Sequence, residues 1–114
     1  MKIFKLLILI AAICTSATAQ WQQQNTPDNT STYVDLEAIS QQIVYCAGQK
    51  MLKTVNGGTT WSPLTIAGYN STVWGISFYN SSTGWGCGFT GKIFKTINGG
   101  GDWTTKTVGK IGRA

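Results

Sequence analysis

A twelve-residue phrase occurs twice in this chain, and this repeat restricts the possible folds more than any other feature. KMLKTVNGGTTW (Lys50–Trp61) and KIFKTINGGGDW (Lys92–Trp103) are identical at 7 of 12 positions, and three further positions exchange one apolar residue for another. Upstream, YCAG (Tyr45–Gly48) aligns with WGCG (Trp85–Gly88) if a two-residue gap is placed in the turn that follows. Most of the chain is therefore predicted to be two copies of one unit of about 40 residues.

The alignment extends toward the start of each copy. LEAIS (Leu36–Ser40) is aligned with VWGIS (Val73–Ser77), and Trp21 stands 40 residues ahead of Trp61. A period near 40 is typical of helical armadillo-type repeats and of β-propeller blades. Each copy is rich in Val, Ile, Thr and aromatic residues and is interrupted at short intervals by Gly, Asn or Ser. This composition favours short strands joined by tight turns.

The predicted fold class is therefore all-β, with two four-stranded antiparallel propeller blades that form an incomplete β-propeller. We predict three segments: residues 1–19 as a signal peptide, 20–61 as the first blade and 62–114 as the second blade. The strands predicted in the second blade are Val73–Tyr79, Gly84–Phe89, Lys92–Thr96 and Trp103–Val108.

The first residues have the pattern of an export signal. Lys2 and Lys5 precede an apolar run, Leu6–Ile13, which is too short to span a bilayer because a spanning helix needs about 20 residues. ATAQ (Ala17–Gln20) has the small residues that signal peptidase reads, so cleavage is predicted after Ala19. We therefore expect a secreted or periplasmic protein with no membrane contact after cleavage.

The repeated Thr-x-Asn-Gly-Gly-x-x-Trp phrase is predicted to close one hairpin in each blade. Asn and Gly tolerate the positive φ of a tight turn, and Asn and Thr side chains accept backbone N–H bonds across it. The Trp ring is predicted to fold beneath the turn. The structural residues are Thr54, Asn56, Gly58 and Trp61 in the first corner and Thr96, Asn98, Gly100 and Trp103 in the second.

These corners resemble the Asp-box of bacterial neuraminidase repeat proteins, usually S-x-D-x-G-x-x-W, with Asn in place of the usual Asp. Residues Gly84–Trp103 (GWGCGFTGKIFKTINGGGDW) also resemble the repeat GWxxGxxGxIxxTxDGGxTW of the photosystem II stability/assembly factor family, which has relatives among exported bacterial proteins. The resemblance implies a β-propeller. It leaves two roles for Asn56 and Asn98, hairpin closure or ligand and calcium binding, and the amide in place of a carboxylate favours hairpin closure.

The residue types give little support to catalysis or to a cofactor. The chain has no His, so metal sites and a base for the thiols of Cys46 and Cys87 lack their commonest ligand and partner. A sialidase-like site needs several arginines, and Arg113 is the single one. A glycosidase needs two flanking carboxyl groups, and the candidates are dispersed: Asp28, Asp35, Glu37 and Asp102. We predict no enzyme activity and no cofactor.

Exposed aromatic and basic residues are the remaining candidates for binding. Trp74 and Trp85 are predicted to lie in the core between blades, with sugar stacking as the alternative. The recurring lysines are predicted to be solvated edge charges, because they are spread by the repeat and form no dense basic stripe for nucleic acid. These lysine pairs are Lys50 with Lys92 and Lys53 with Lys95.

The predicted function is an exported, non-catalytic propeller segment that acts as a structural or protein-binding scaffold. Because repeat arrays usually need at least three units, we expect either the N-terminal part of a longer propeller or copies that associate. The partner is therefore an unknown protein, further blades or a second copy. Two alternatives stay open: the non-catalytic front portion of a propeller glycosidase, and a chaperone resembling a photosystem II assembly factor.

Overall fold

The computed structural model describes residues 21–108. Within this range the backbone forms eight strands and no helix. The strands are β1 (Tyr33–Ala38), β2 (Val44–Gly48), β3 (Met51–Thr54), β4 (Ser62–Leu64), β5 (Val73–Phe78), β6 (Gly84–Gly88), β7 (Lys92–Thr96) and β8 (Thr104–Thr107). A helix long and apolar enough to cross a bilayer is therefore not found among residues 21–108. The predicted signal peptide and Arg113 lie outside the described residues.

Each group of four consecutive strands forms one antiparallel sheet in chain order. The first sheet has the order β1-β2-β3-β4 and the second β5-β6-β7-β8. The all-β prediction with two four-stranded antiparallel sheets is confirmed. In the second sheet the observed strands start or end within one residue of the predicted limits.

The hydrogen-bond register corrects one part of the sequence alignment. Tyr33 pairs with Gly48 as Val73 pairs with Gly88, and both β1 and β5 contain a register shift two residues later. Residues of β1 are therefore equivalent to residues 40 positions later in β5, and Leu36 matches Ile76. The alignment of LEAIS with VWGIS was wrong, because it matched similar letters three positions out of the register that strand pairing imposes.

The limit between the two units also differs from the predicted one. The boundary predicted after Trp61 falls just before β4, yet β4 pairs with β3, with Met51 opposite Leu64 and Lys53 opposite Ser62. The first sheet therefore extends to Leu64. Residues 65–72 then connect the two sheets.

Each sheet has two faces, because successive side chains of a strand point to opposite sides. We call one the forward face and the other the rear face. In the first sheet the forward face carries Asp35, Glu37, Tyr45, Ala47, Met51 and Lys53, and the rear face carries Leu36, Ala38, Cys46, Leu52 and Thr54. In the second sheet the forward face carries Gly75, Ser77, Trp85, Cys87, Ile93 and Lys95, and the rear face carries Ile76, Phe78, Gly86, Phe94 and Thr96.

The core lies where the forward face of the first sheet packs on the rear face of the second. Its buried members are Tyr45, Ala47, Met51, Ile66, Val73, Ile76, Phe78 and Phe94. The rings of Tyr45 and Phe78 are stacked, with centroids 3.7 Å apart and planes 12° from parallel. Phe78 also meets the ring of Trp103 edge-on, at a centroid distance of 6.3 Å. An aromatic cluster therefore joins the two sheets.

Polar contacts fix the relative position of the sheets. The Tyr45 hydroxyl donates to the carbonyl oxygens of Ser81 (2.9 Å) and Gly99 (3.2 Å). The Lys53 ammonium donates to the same Gly99 oxygen at 3.1 Å. The Ile76 amide donates to Asp35 Oδ2 at 2.8 Å. Because these groups are buried or half-buried, each bond satisfies a polar atom that would otherwise be costly to bury.

Candidate binding surfaces

The two Asn-Gly-Gly corners have nearly identical hydrogen bonds. In the first, Thr54 Oγ1 accepts from the Gly58 amide (2.9 Å) and donates to Asn56 Oδ1 (3.0 Å), which also accepts from the Thr60 amide (3.0 Å). In the second, the equivalent bonds involve Thr96, Gly100, Asn98 and Asp102, with lengths of 2.9, 3.0 and 2.9 Å. The Asn Oδ1 atoms therefore already accept bonds within their own corners.

The tryptophans of the corners differ in one contact. The Trp103 indole N–H donates to the Gly100 carbonyl at 3.0 Å, so this ring lies beneath its own turn. The Trp61 indole nitrogen is buried and has no hydrogen-bond partner within residues 21–108. Over the same residues, no group of three His, Cys, Asp or Glu side chains is arranged to hold a metal ion.

The two Asn residues are expected to respond differently to replacement by Asp. Asn98 Nδ2 donates to Asp102 Oδ2 at 2.8 Å, whereas Asn56 Nδ2 donates to the Thr60 hydroxyl at 2.8 Å. Asn98→Asp would place two carboxylates together and is expected to lower the free energy of unfolding by about 1 kcal/mol at neutral pH. Asn56→Asp is the matched control, because the Thr60 hydroxyl can rotate and donate to a carboxylate.

Urea denaturation at neutral and acidic pH measures both variants. The neighbouring charge raises the pKa of one carboxyl group in the folded Asn98→Asp variant, so the loss of stability should shrink as the pH falls through that raised pKa. Equal losses in the two variants, or a loss independent of pH, would contradict this explanation of the corner.

The forward face of the second sheet is open. Trp85 is 41% exposed and Ile93 42%, and Cys87 and Lys95 are also exposed. The Lys95 ammonium lies over the Trp85 ring, 5.6 Å from its centroid. Trp74, at the register shift of β5, is 50% exposed and packs edge-on against Phe89. The prediction that Trp74 and Trp85 lie in a core was wrong, because within the described residues no other sheet packs on this side of the second sheet.

The lysines that recur in the repeat make separate local contacts. Lys50 forms an ion pair with Asp28 (2.8 Å), and Lys92 donates to the Thr107 hydroxyl (3.0 Å). Lys53 donates to the Gly99 carbonyl of the other sheet, and Lys95 lies over the Trp85 ring.

Asp28 organises the segment that precedes β1. Its Oδ1 accepts from the amide and hydroxyl of Thr30, and its Oδ2 accepts from the Ser31 hydroxyl. The hydrogen bond from Lys50, followed by those from Ser31 and Thr30, holds the pKa of Asp28 far below its ordinary value of 3.8. Because the folded pKa is depressed, this carboxylate stabilises the segment at every pH above its ordinary value, and the contribution falls away only in strong acid.

The other carboxylates also have structural partners. Asp35 Oδ1 accepts from the Leu36 amide (2.9 Å) and its Oδ2 accepts from the Ile76 amide. Asp102 binds Asn98 in the second corner. The structure thus places three of the four sequence candidates for an acid pair in three different local networks.

Cys46 and Cys87 are free thiols on different faces of their sheets, Cys46 on the rear face of the first and Cys87 on the forward face of the second. Burial raises the pKa of the Cys46 thiol. The two thiols do not form a disulfide bond with each other.

A groove lies between the β2–β3 turn and the connection from β4 to β5, with a volume of about 370 Å³. Its floor includes the buried side chains of Met51, Ile66 and Val73. Exposed residues at its rim include Pro63, Thr65, Asn70 and Ser71. Sequence reasoning did not single out this connection, because it lies outside the repeated phrase. The residue that could have drawn attention to this connection is Tyr69, whose hydroxyl donates to the Thr72 carbonyl and accepts from the Phe89 amide.

Two consecutive four-stranded antiparallel sheets that pack face to face, each closed by the same corner, define a segment of a β-propeller. Among solved structures, the chain is similar to that titled "YCF48 bound to D1 peptide", with a TM-score of 0.65 and 26% sequence identity. YCF48 is a photosystem II assembly factor and a β-propeller. The match covers 75% of this chain and 29% of that one, so this chain spans under a third of the YCF48 chain. No family model and no curated protein matches.

Together, the two sheets and the propeller neighbour bear out the predicted incomplete β-propeller. The resemblance to the photosystem II assembly factor family is supported at the level of this structural similarity. The Asp-box identity of the corners stays a prediction.

Proposed function

We propose that this chain is an exported, non-catalytic propeller segment that binds a segment of another protein. The similar structure of YCF48 is bound to a D1 peptide, so a similar scaffold binds a peptide of another protein. The chain spans 29% of YCF48, and the proposal therefore concerns a scaffold of the same kind rather than the same partner.

The groove beside the β4–β5 connection carries the proposal. Its buried floor of Met51, Ile66 and Val73 offers apolar contact, and its rim offers exposed polar side chains at Thr65 and Ser71. Small-ligand sites typically have volumes of about 300–1,000 Å³, an apolar lining and a few polar groups that fix orientation. The groove has these properties and would take one or two apolar side chains of a peptide.

The carboxylates support a non-catalytic role. Asp28, Asp35 and Asp102 are engaged by Lys50, by the Ile76 amide and by Asn98, respectively. A glycosidase needs two carboxyl groups that face one substrate cavity. Three carboxylates held in separate structural networks do not supply such a pair.

A chaperone resembling a photosystem II assembly factor is the second candidate. The observation that favours it is the structural similarity to YCF48, supported by the resemblance of Gly84–Trp103 to the repeat of that family. It differs from the first candidate only in the identity of the bound protein. A binding measurement with the D1 peptide itself would distinguish the two.

Selection of random peptides displayed on phage against the purified protein tests the binding role. Peptides that bind in the groove are expected to lose at least about tenfold in affinity for Thr65→Arg, which corresponds to about 1.4 kcal/mol. Thr105→Arg is the matched control, because Thr105 is an exposed threonine on β8, away from the groove. Failure to enrich any peptide, or equal affinities for the two variants, would overturn the groove as the site.

A further inference from the structure

In the described structure one sheet face is open and another is partly open, and they correspond to the two halves of the interface that is already closed. The closed interface joins the forward face of the first sheet to the rear face of the second. The exposed surfaces are the forward face of the second sheet, with Trp85 and Ile93 exposed, and the β1 part of the rear face of the first, where Leu36 is 58% exposed. On the β3 part of that rear face, Leu52 and Thr54 are each 1% exposed. Because the two sheets are copies of one unit, the forward face of the second sheet is equivalent to the forward face of the first, and the rear face of the first is equivalent to the rear face of the second.

We propose that these open faces bind each other between copies of this chain. The forward face of the second sheet of one copy packs on the rear face of the first sheet of the next copy, in the same relative position as the two sheets within one chain. This self-association goes beyond the proposed peptide binding and uses none of the rim residues of the groove.

The sizes of the central side chains are complementary across the proposed interface. Within the chain, Tyr45 stacks on Phe78. The equivalent residues on the open faces are Trp85 and Ala38, both exposed. A larger ring therefore faces a smaller side chain, so that the volume gained at one position is offset at the other. Close packing of this kind is what protein interiors require.

The lysine contact can also be repeated. Lys53 lies over the Tyr45 ring, 5.2 Å from its centroid, and donates to the Gly99 carbonyl of the second corner. Lys95 lies in the same way over Trp85. The residue of the first corner that matches Gly99 is Gly57, which has a similar positive φ of 69°. Lys95 of one copy would therefore donate to the Gly57 carbonyl of the next.

The contact at the bulge of the first strand is not repeated on the open faces. Within the chain, Asp35 reaches across to accept the Ile76 amide. On the open faces the residue equivalent to Asp35 is Gly75, which has no side-chain acceptor, and the amide equivalent to that of Ile76 is that of Leu36. The Leu36 amide already donates to Asp35 Oδ1 within its own chain at 2.9 Å. The missing acceptor therefore leaves no amide without a partner.

The segment before β1 sets the strength of the association. A Cβ atom on Gly58 would meet the Gln24 side chain, as one on Gly100 would meet the Leu64 side chain of β4. Gln24 thus occupies the place where β8 of the neighbouring copy would lie, and it has to move when that copy binds. We therefore expect a reversible association that depends on protein concentration.

The proposed contact is head-to-tail, so it forms either closed rings or open filaments. Propellers typically close with about four to eight blades. With two sheets per chain, rings of about two to four copies satisfy this range. The purified protein is accordingly expected to have a mass of a small whole number of chains at high concentration.

Light scattering coupled to size-exclusion chromatography tests the proposal with one variant on each open face. Trp85→Glu disables the forward face of the second sheet, and Leu36→Glu disables the rear face of the first. Each variant alone is expected to be monomeric, whereas an equimolar mixture forms one heterodimer, because each still has the face that the other lacks. Ile97→Glu is the matched control: Ile97 is 72% exposed and lies in the second corner, off both faces. It should associate like the unmodified protein.

Circular dichroism of each variant verifies that the sheets are intact. A protein that stays monomeric at all concentrations, or variants that do not form a heterodimer on mixing, would overturn the head-to-tail contact. Association abolished by Trp85→Glu but unchanged in Leu36→Glu would instead indicate that two forward faces pair, which also overturns it. Peptide binding in the groove should be unchanged in both variants, so that a failure of either proposal can be recognised separately.

Discussion

Replacing Phe78 by alanine is expected to lower the free energy of unfolding by about 3–5 kcal/mol, the usual cost of removing a buried aromatic ring. Phe78 is 7% exposed and stacks on Tyr45 of the other sheet. A Cβ atom on Gly84 would overlap the Phe78 ring, so Gly84 leaves the space that the ring fills. The variant would lose both the burial and the main aromatic contact between the sheets. Because small domains have stabilities of about 5–15 kcal/mol, this loss removes a large fraction of the total stability.

Tyr79→Ala is the matched control for this experiment. Tyr79 is the next residue in the chain, is also aromatic and is 82% exposed. Its removal is expected to change the free energy of unfolding by less than about 0.5 kcal/mol. Urea denaturation followed by far-ultraviolet circular dichroism measures both. Similar losses for the two variants would show that the aromatic cluster does not hold the sheets together.

The second large effect is expected from Gly100→Ala in the second corner. Gly100 has φ of +91°, a backbone conformation that costs a residue with a side chain about 1–3 kcal/mol. A Cβ atom there would also lie 2.8 Å from Leu64 Cδ1, so that the end of the Leu64 side chain would have to move. We expect a loss in free energy of unfolding of about 2–3 kcal/mol.

Gly101→Ala separates this effect from the general cost of changing a glycine. Gly101 follows directly, and a Cβ atom on it would meet only the Asn98 side chain at 3.4 Å, an ordinary contact distance. We expect little change or a slight gain in stability, because alanine reduces the freedom of the unfolded chain. The same denaturation experiment compares the two. If Gly101→Ala were as harmful as Gly100→Ala, the positive φ would not be the reason for the glycine.

The corners were the most predictable part of the molecule. Thr96, Asn98 and Gly100 form their hydrogen bonds with one another and with Asp102, all within seven residues of sequence. Short-range contacts of this kind depend on spacing and residue type, which the sequence contains. The strands of the second sheet were predicted to within one residue for the same reason, since turn residues bound each of them.

The candidate binding surfaces were not predictable in the same way. The groove combines the β2–β3 turn with residues 63–73, and it exists only because the connection folds back over Met51. Nothing in the local pattern of either segment specifies this meeting. The alignment of Leu36 with Val73 failed for a similar reason, because the true equivalence with Ile76 is set by hydrogen bonds to another strand.

By itself, the sequence determined a duplicated four-stranded sheet and the corner that closes each copy, because alternation, turn residues and short-range hydrogen bonds are properties of neighbouring residues. Only the tertiary structure decided which of the equivalent faces is covered. Tyr45 and Trp85 hold the same strand position, yet Tyr45 is 0% exposed and Trp85 is 41% exposed. Their strands carry the same pattern, and the difference arises because burial depends on what packs against a sheet rather than on the sheet's own residues.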